Sequence, residues 1–190
     1  TIIPDRIVAS TFMAASAVTG GELILNGIIS SHLDGVIPLF EEAGCNIKVR
    51  NSKLKIDSPS RLKSFKYVRT MPYPGFPTDA QAVMMSVATV AKGTTVFVEN
   101  IFESRYRHVE DLTRLGANIK VANKVAVVEG VDRLFGAKVV AKELRGAAAL
   151  VVASLKAEGR TEIEGIKYLE RGYEDLEVVL SSLGANIRKV

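Results

Sequence analysis

Tryptophan is absent from this chain of 190 residues, and it holds one cysteine, Cys45, and two histidines, His32 and His108. A single cysteine excludes an internal disulfide and points to a reducing compartment. So few soft ligands leave no basis for a dedicated transition-metal site. Aromatic residues amount to 6%, with no stacking platform and no glycine-rich RNA-binding motif, which argues against a module that reads RNA. No apolar run reaches membrane-spanning length, and no signal peptide is legible. The opening residues Thr1-Ile2-Ile3-Pro4-Asp5-Arg6 carry no initiator methionine and read as a processed or excised end.

What remains is ordinary globular material: 47% hydrophobic and 24% charged residues, enough for a real core. The length suits one domain or two very small ones. The net charge of +4 fits anionic small substrates as well as nucleic acid and does not choose between them.

The chain repeats itself. Glu42-Ala43-Gly44-Cys45-Asn46-Ile47, Arg114-Leu115-Gly116-Ala117-Asn118-Ile119 and Ser182-Leu183-Gly184-Ala185-Asn186-Ile187 are alike. So are Thr19-Gly20-Gly21, Ala91-Lys92-Gly93 and Ala157-Glu158-Gly159, on the same beat of about seventy residues. Each unit reads as β-α-β-α-β-β. A short strand (6–8, 67–69, 138–140) leads into an apolar helix (11–18, 79–90, 144–155) stopped by glycine. A strand follows (22–25, 94–98, 161–164), then an amphipathic helix (33–43, 108–115, 173–183) with a second stopping glycine. A hairpin closes the unit: 46–49 with 54–56, and 118–121 with 125–128, turning on Asn51 and Asn123. The units span about 5–57, 65–129 and 137–190. The first helix of each is Ala-rich and apolar on nearly every face, so the three pack together inside, with sheets outside. This is an inside-out α/β barrel lobe. The second helices carry charged faces, Glu110, Asp111 and Arg114 in one and Glu174, Asp175 and Glu177 in another, and belong at the surface. The third unit ends at Asn186 to Val190 and lacks the last strand of its hairpin. That leaves an unpaired edge and suggests a part of a larger protein.

The central stretch is Phe76-Pro77-Thr78-Asp79-Ala80-Gln81-Ala82. Thr78 and Gln81 have the spacing of a capping box, and Asp79 falls in the first helical turn. Asp79 reads either as a helix-starting residue or as a base at the mouth of a cleft. Arg145 stands at the start of the 144–155 helix, where a cation opposes the helix dipole by roughly 0.3–1 kcal/mol. Its small neighbours Gly146-Ala147-Ala148-Ala149 leave room for an anion to reach the helix end. Arg105 and Arg171 lie in loops ahead of other helices. Each alone reads as a surface arginine, and together the three form a candidate clamp for phosphate and carboxylate. Ile101 and Phe102 end a strand and enter the Arg105 loop. His108 reads as structural, Cys45 as a small packing residue, and the basic residues Lys53, Lys55, Arg61, Lys63 and Lys66 as a solvated face.

Several motifs resemble one family. Pro4-Asp5-Arg6-Ile7, Phe76 to Ala82, Phe102-Glu103-Ser104-Arg105-Tyr106-Arg107-His108-Val109, Leu144-Arg145-Gly146-Ala147-Ala148-Ala149-Leu150 and Arg171-Gly172-Tyr173-Glu174 look like the UDP-N-acetylglucosamine enolpyruvyl transferases. The resemblance runs over essentially the whole chain. It implies two lobes of three units each around a cleft, this chain being the C-terminal lobe, completed by a crossover segment from the enzyme's N-terminus. It implies transfer of the enolpyruvyl group of phosphoenolpyruvate to the sugar 3-hydroxyl of UDP-N-acetylglucosamine, with release of phosphate. That is the first committed step of bacterial peptidoglycan synthesis, tied to cell shape and division. It would run in the cytoplasm, without metal or organic cofactor and without nucleic-acid or membrane partners. The family match makes Asp79 the candidate catalytic base and sugar-hydroxyl contact. Arg105, Arg145 and Arg171 become phosphoenolpyruvate and intermediate contacts, and Ile101 a backbone contact to the UDP-sugar. The family's reactive cysteine, its Lys-Asn pair and a further arginine lie in segments absent here, so the chain alone is expected to be inactive. Two other classes compete. One is a sister enzyme of the same repeats, the shikimate-pathway transferase or an RNA terminal-phosphate cyclase. The other is a non-enzymatic RNA-binding module, whose binding would depend steeply on salt.

Overall fold

Three Ala-rich helices pack on one another at the centre of the molecule: α1 (Arg6–Thr19), α3 (Thr78–Thr89) and α5 (Leu144–Ser154). The structure, a computed structural model, describes residues 2–190. Every residue from Ala80 to Thr89 is buried, as is every residue from Gly146 to Ala153. Small side chains let the backbones approach, and the Ser86 hydroxyl of α3 donates 2.7 Å across to the Ala149 carbonyl of α5. A larger side chain has nowhere to go. Ala148→Leu should cost about 1–3 kcal/mol through overpacking and lower the melting temperature by roughly 3–10 °C, read by circular dichroism.

Sheets lie outside the helices. Strands β1 (Glu22–Asn26), β2 (Asn46–Arg50) and β3 (Lys53–Asp57) form an antiparallel sheet in the order β1-β3-β2. Leu54 and Ile56 of β3 point to the core. Strands β4 (Tyr67–Arg69), β5 (Thr94–Val98), β6 (Asn118–Ala122) and β7 (Val125–Glu129) follow the order β4-β5-β7-β6, with β4 parallel to β5. The two hairpin turns use Asn51 and Asn123 in left-handed conformation, as their sequence suggests. Strands β8 (Lys138–Val140) and β9 (Glu162–Glu164) make a parallel pair.

The surface helices α2 (Ile37–Glu42), α4 (Val109–Arg114) and α6 (Leu176–Ser182) are shorter than their patterns predict. All three end alike. Gly44, Gly116 and Gly184 adopt positive φ, and the next N–H reaches back to the Phe40, Leu112 and Leu180 carbonyls respectively. This satisfies helix-end carbonyls that would otherwise lack donors.

The structure departs from the sequence reading at several points. Arg6 to Val8 are helical rather than extended. The Asp5 carboxylate caps α1, accepting from the Ile7 N–H at 2.7 Å and the Val8 N–H at 3.3 Å, and draws the β-branched start into the helix. Asn186 to Val190 form no strand, because nothing among the described residues pairs with them. Gly20 caps α1 as expected, but α3 and α5 stop several residues before Gly93 and Gly159, which lie in later turns. Asp111 does not join the exposed face of α4. It is fully buried, accepts from the Val140 N–H at 3.1 Å and lies 3.2 Å from the Lys142 ammonium, so it ties α4 to β8.

Candidate active site at the helix starts

The starts of α1, α3 and α5 gather at one end of the molecule. There Asp79, in the first turn of α3, sits between two arginines. Its Oδ1 accepts from Arg105 Nη2 at 2.5 Å and its Oδ2 from Arg145 Nη2 at 3.0 Å. The carboxylate side chain is 42% exposed, whereas Arg105 and Arg145 are 21% and 15% exposed. A solvent-facing acid is thus backed by two cations drawn from a loop and a helix distant in the chain.

Arg145 is held in place by more than Asp79. Burial works against its charge, and the Asp79 carboxylate with the nearby Tyr173 phenol outweighs burial, so its pKa is raised. Tyr173 is itself buried, with its hydroxyl 2.7 Å from Thr11 Oγ1 of α1. One guanidinium nitrogen of Arg145, Nη1, is buried without a hydrogen-bond partner among the described residues. The α5 start is not open to an outside anion, contrary to the sequence reading. The Glu143 carboxylate already caps it, accepting from the Arg145 N–H at 2.8 Å and the Gly146 N–H at 2.5 Å. Gly146 leaves no room beside it, since a Cβ there would lie 2.7 Å from that carboxylate and 2.9 Å from His108 Cβ. The cap also offsets the dipole penalty of placing Arg145 at a helix start.

Thr78 does not cap α3. The cap position is Pro77, with no side-chain bond, and the Thr78 hydroxyl instead donates to buried Glu99 at 2.9 Å. The Gln81 side chain is buried and makes no hydrogen bond among the described residues, so the capping box is not made. Ile101 and Phe102 are 39% and 48% exposed, and both backbone N–H groups donate to the Glu99 carboxylate. A backbone contact from Ile101 to a ligand would therefore use its carbonyl. The Arg105 guanidinium stacks 5.1 Å from the Phe102 ring centroid. Arg171 is exposed and does not join the Asp79 pair. It ends a 3-10 turn (Ile166–Arg171), and the following Gly172 packs on Leu144, which sets Arg171 beside the α5 start.

Sequence reasoning brought out Asp79, Arg105 and Arg145 and missed Glu99, Glu143 and Tyr173. Glu99 alone left a trace, an acid directly after the apolar strand Thr94–Val98.

Residues 1–180 match the family described as EPSP synthase (3-phosphoshikimate 1-carboxyvinyltransferase). The chain belongs to the EPSP synthase family. Within it, the chain is 48% identical over 190 residues to UDP-N-acetylglucosamine 1-carboxyvinyltransferase 2 of Caldanaerobacter subterraneus subsp. tengcongensis, covering 100% of this chain and 46% of that relative. It is 48% identical over 186 residues to UDP-N-acetylglucosamine 1-carboxyvinyltransferase of Desulfofundulus thermocisternus, covering 98% of this chain and 76% of that one. The chain thus spans about half the length of most of the curated relatives it matches. Among solved structures, the enolpyruvyl transferase NikO from Streptomyces tendae superposes with a TM-score of 0.90 at 28% identity, covering 99% of this chain and 45% of that one. EPSP synthase from Acinetobacter baumannii superposes at 0.73 with 17% identity, over 100% of this chain and 44% of that one, and so shares the α/β fold.

Proposed function

We propose that this chain is one lobe of an enzyme that transfers the enolpyruvyl group of phosphoenolpyruvate to the 3-hydroxyl of UDP-N-acetylglucosamine and releases phosphate. It would do so at the entry to peptidoglycan synthesis in the cytoplasm. The observation that carries this reading is Asp79, solvent-facing and bracketed by Arg105 and Arg145. Asp79 takes the proton of the sugar hydroxyl as its oxygen bonds to C2 of phosphoenolpyruvate, while an acid outside this chain protonates C3. The arginines hold phosphate or carboxylate oxygens of phosphoenolpyruvate, with Arg171 joining them as the cleft closes. An anion that engages both guanidiniums draws them from Asp79 and leaves the carboxylate free to accept. Loss of the C3 proton and of phosphate then completes the transfer. The carbonyl of Ile101 contacts the UDP-sugar. No step on this lobe calls for a metal or an organic cofactor.

The lobe is a single domain of three units, about 5–57, 65–129 and 137–190, arranged as an inside-out barrel. The third unit is completed by a strand from the enzyme's N-terminal crossover, laid against β9 much as β7 lies against β5. The second lobe supplies the other cations. The names of the relatives favour a UDP-sugar over shikimate phosphate, since proteins at 44–49% identity carry that name. RNA ends or an RNA-binding role have no comparable support. Acceptor choice tests the reading. With the second lobe present, UDP-N-acetylglucosamine should trigger phosphate release from phosphoenolpyruvate and shikimate 3-phosphate should not. Release with shikimate 3-phosphate alone would assign the chain to the sister enzyme.

A further inference from the structure

Glu99 lies just past β5 and is 1% exposed. A carboxylate this deep persists only when its oxygens are satisfied. Four donors converge on it. Oε1 accepts from the Thr70 hydroxyl at 2.9 Å, the Ile101 N–H at 2.8 Å and the Phe102 N–H at 3.1 Å. Oε2 accepts from the Thr78 hydroxyl at 2.9 Å. The Thr70 oxygen in turn accepts from the Asn100 N–H at 2.8 Å. One side chain therefore joins the end of β4, the start of α3 and the loop that leads to Arg105.

The start of α3 has no side-chain cap of its own. The first N–H groups of a helix have no partners within it, and a capping side chain usually supplies one. Asp5 does so for α1 and Glu143 for α5, but α3 begins at Pro77 without any side-chain cap. The bond from Thr78 to Glu99 is what anchors the residue directly before Asp79.

We propose that Glu99 is a positioning residue with a separate task on each oxygen. Through Oε2 and Thr78 it sets the carboxylate of Asp79 against the reacting hydroxyl. Through Oε1 it holds the Ile101–Phe102 backbone that faces the sugar nucleotide. The inference rests on the transfer reaction proposed above. A base must stand within hydrogen-bond reach of its proton, and a misplacement of about 1 Å can cost on the order of a hundredfold in rate.

Steady-state kinetics of the chain assembled with the second lobe test this. Thr78→Val keeps the shape of the residue and removes the hydroxyl. Its kcat should fall about tenfold or more, with KM for UDP-N-acetylglucosamine changed less than about threefold. Thr78→Ser restores the hydroxyl and should recover kcat to within about threefold of wild type. Glu99→Gln keeps an acceptor for the loop and turns an amide N–H toward Thr78, whose hydroxyl can accept it, so its kcat should lie between those of Thr78→Val and wild type. A Thr78→Val enzyme with wild-type kcat, or equal losses in the Val and Ser variants, would overturn the proposal. A wild type that turns over nothing counts against the reaction and not against Glu99. Amide hydrogen exchange in the chain then decides. Ile101 and Phe102 should exchange at least about tenfold more slowly than Glu103 and Ser104, and equal rates would overturn the inference.

Discussion

Asp79→Asn should reduce kcat of the assembled enzyme by at least about a hundredfold, since a positioned general base contributes about 10²–10⁴. The substitution is close in shape, so the loss reports chemistry and not a void. Asn presents one acceptor and one donor where Asp79 presents two acceptors to Arg105 and Arg145. One guanidinium would then face an amide N–H and turn away, which should also raise KM for phosphoenolpyruvate. Stability should change little. The carboxylate is 42% exposed, and ion pairs open to solvent contribute about 0–1 kcal/mol. An Asp79→Asn enzyme with turnover near wild type, measured by phosphate release, would remove Asp79 from the chemistry.

The second large effect is on stability and depends on pH. His108 is buried where the Arg105 loop meets the start of α5, and neither ring nitrogen has a hydrogen-bond partner among the described residues. Burial first, then the neighbouring Arg105 charge, disfavour the imidazolium. Asp111 opposes them only in part, and the pKa falls from 6.5 to about 4. The folded state therefore resists a proton that the unfolded chain accepts readily. Well above pH 6.5 neither state binds it and stability is intact. As pH falls from about 6.5 to about 4 the unfolded state gains the proton first, and stability declines by about 3 kcal/mol. Carboxylates titrate in the lower part of that window, so the comparison needs a variant without the imidazole. His108→Leu should flatten the decline between pH 6.5 and 5 in denaturant titrations. Identical pH profiles for the two proteins would show that His108 is not the group responsible.

How much of this was legible depends on how far apart the interacting residues lie in the chain. The Ala-rich helices, the Asn turns and the triple Leu-Gly-Ala-type endings are local patterns, and all three appear in the structure. The start of α1 reads as strand because Ile7 and Val8 favour strand, while the Asp5 cap that overrides them shows as only one residue of pattern. Pro38 falls inside α2, near its start, and the predicted helix from Leu33 shortens to Ile37–Glu42. The place of Asp79 in the first turn of an apolar helix leaves it open between a helix-starting residue and a base, and the family resemblance is what singles it out. Arg105 and Arg145 stand out as clamp candidates, but their pairing with Asp79 does not show in the chain, because Arg145 is brought to it by packing of α3 on α5. Glu143 escaped notice because Glu is an unusual cap, and Asp111 because a charged helix face predicts exposure for every charge on it. Glu99 shows the same limit. Its four donors come from three segments, and no spacing along the chain announces that they meet.

The claim that this chain supplies half of a shared site is tested most directly by phosphate release from phosphoenolpyruvate and UDP-N-acetylglucosamine, with the chain alone and after adding the second lobe. Release should be absent from the chain alone, appear in the mixture and vanish with Asp79→Asn. Release by the chain alone, or an inactive mixture in which the two lobes demonstrably associate, would contradict it.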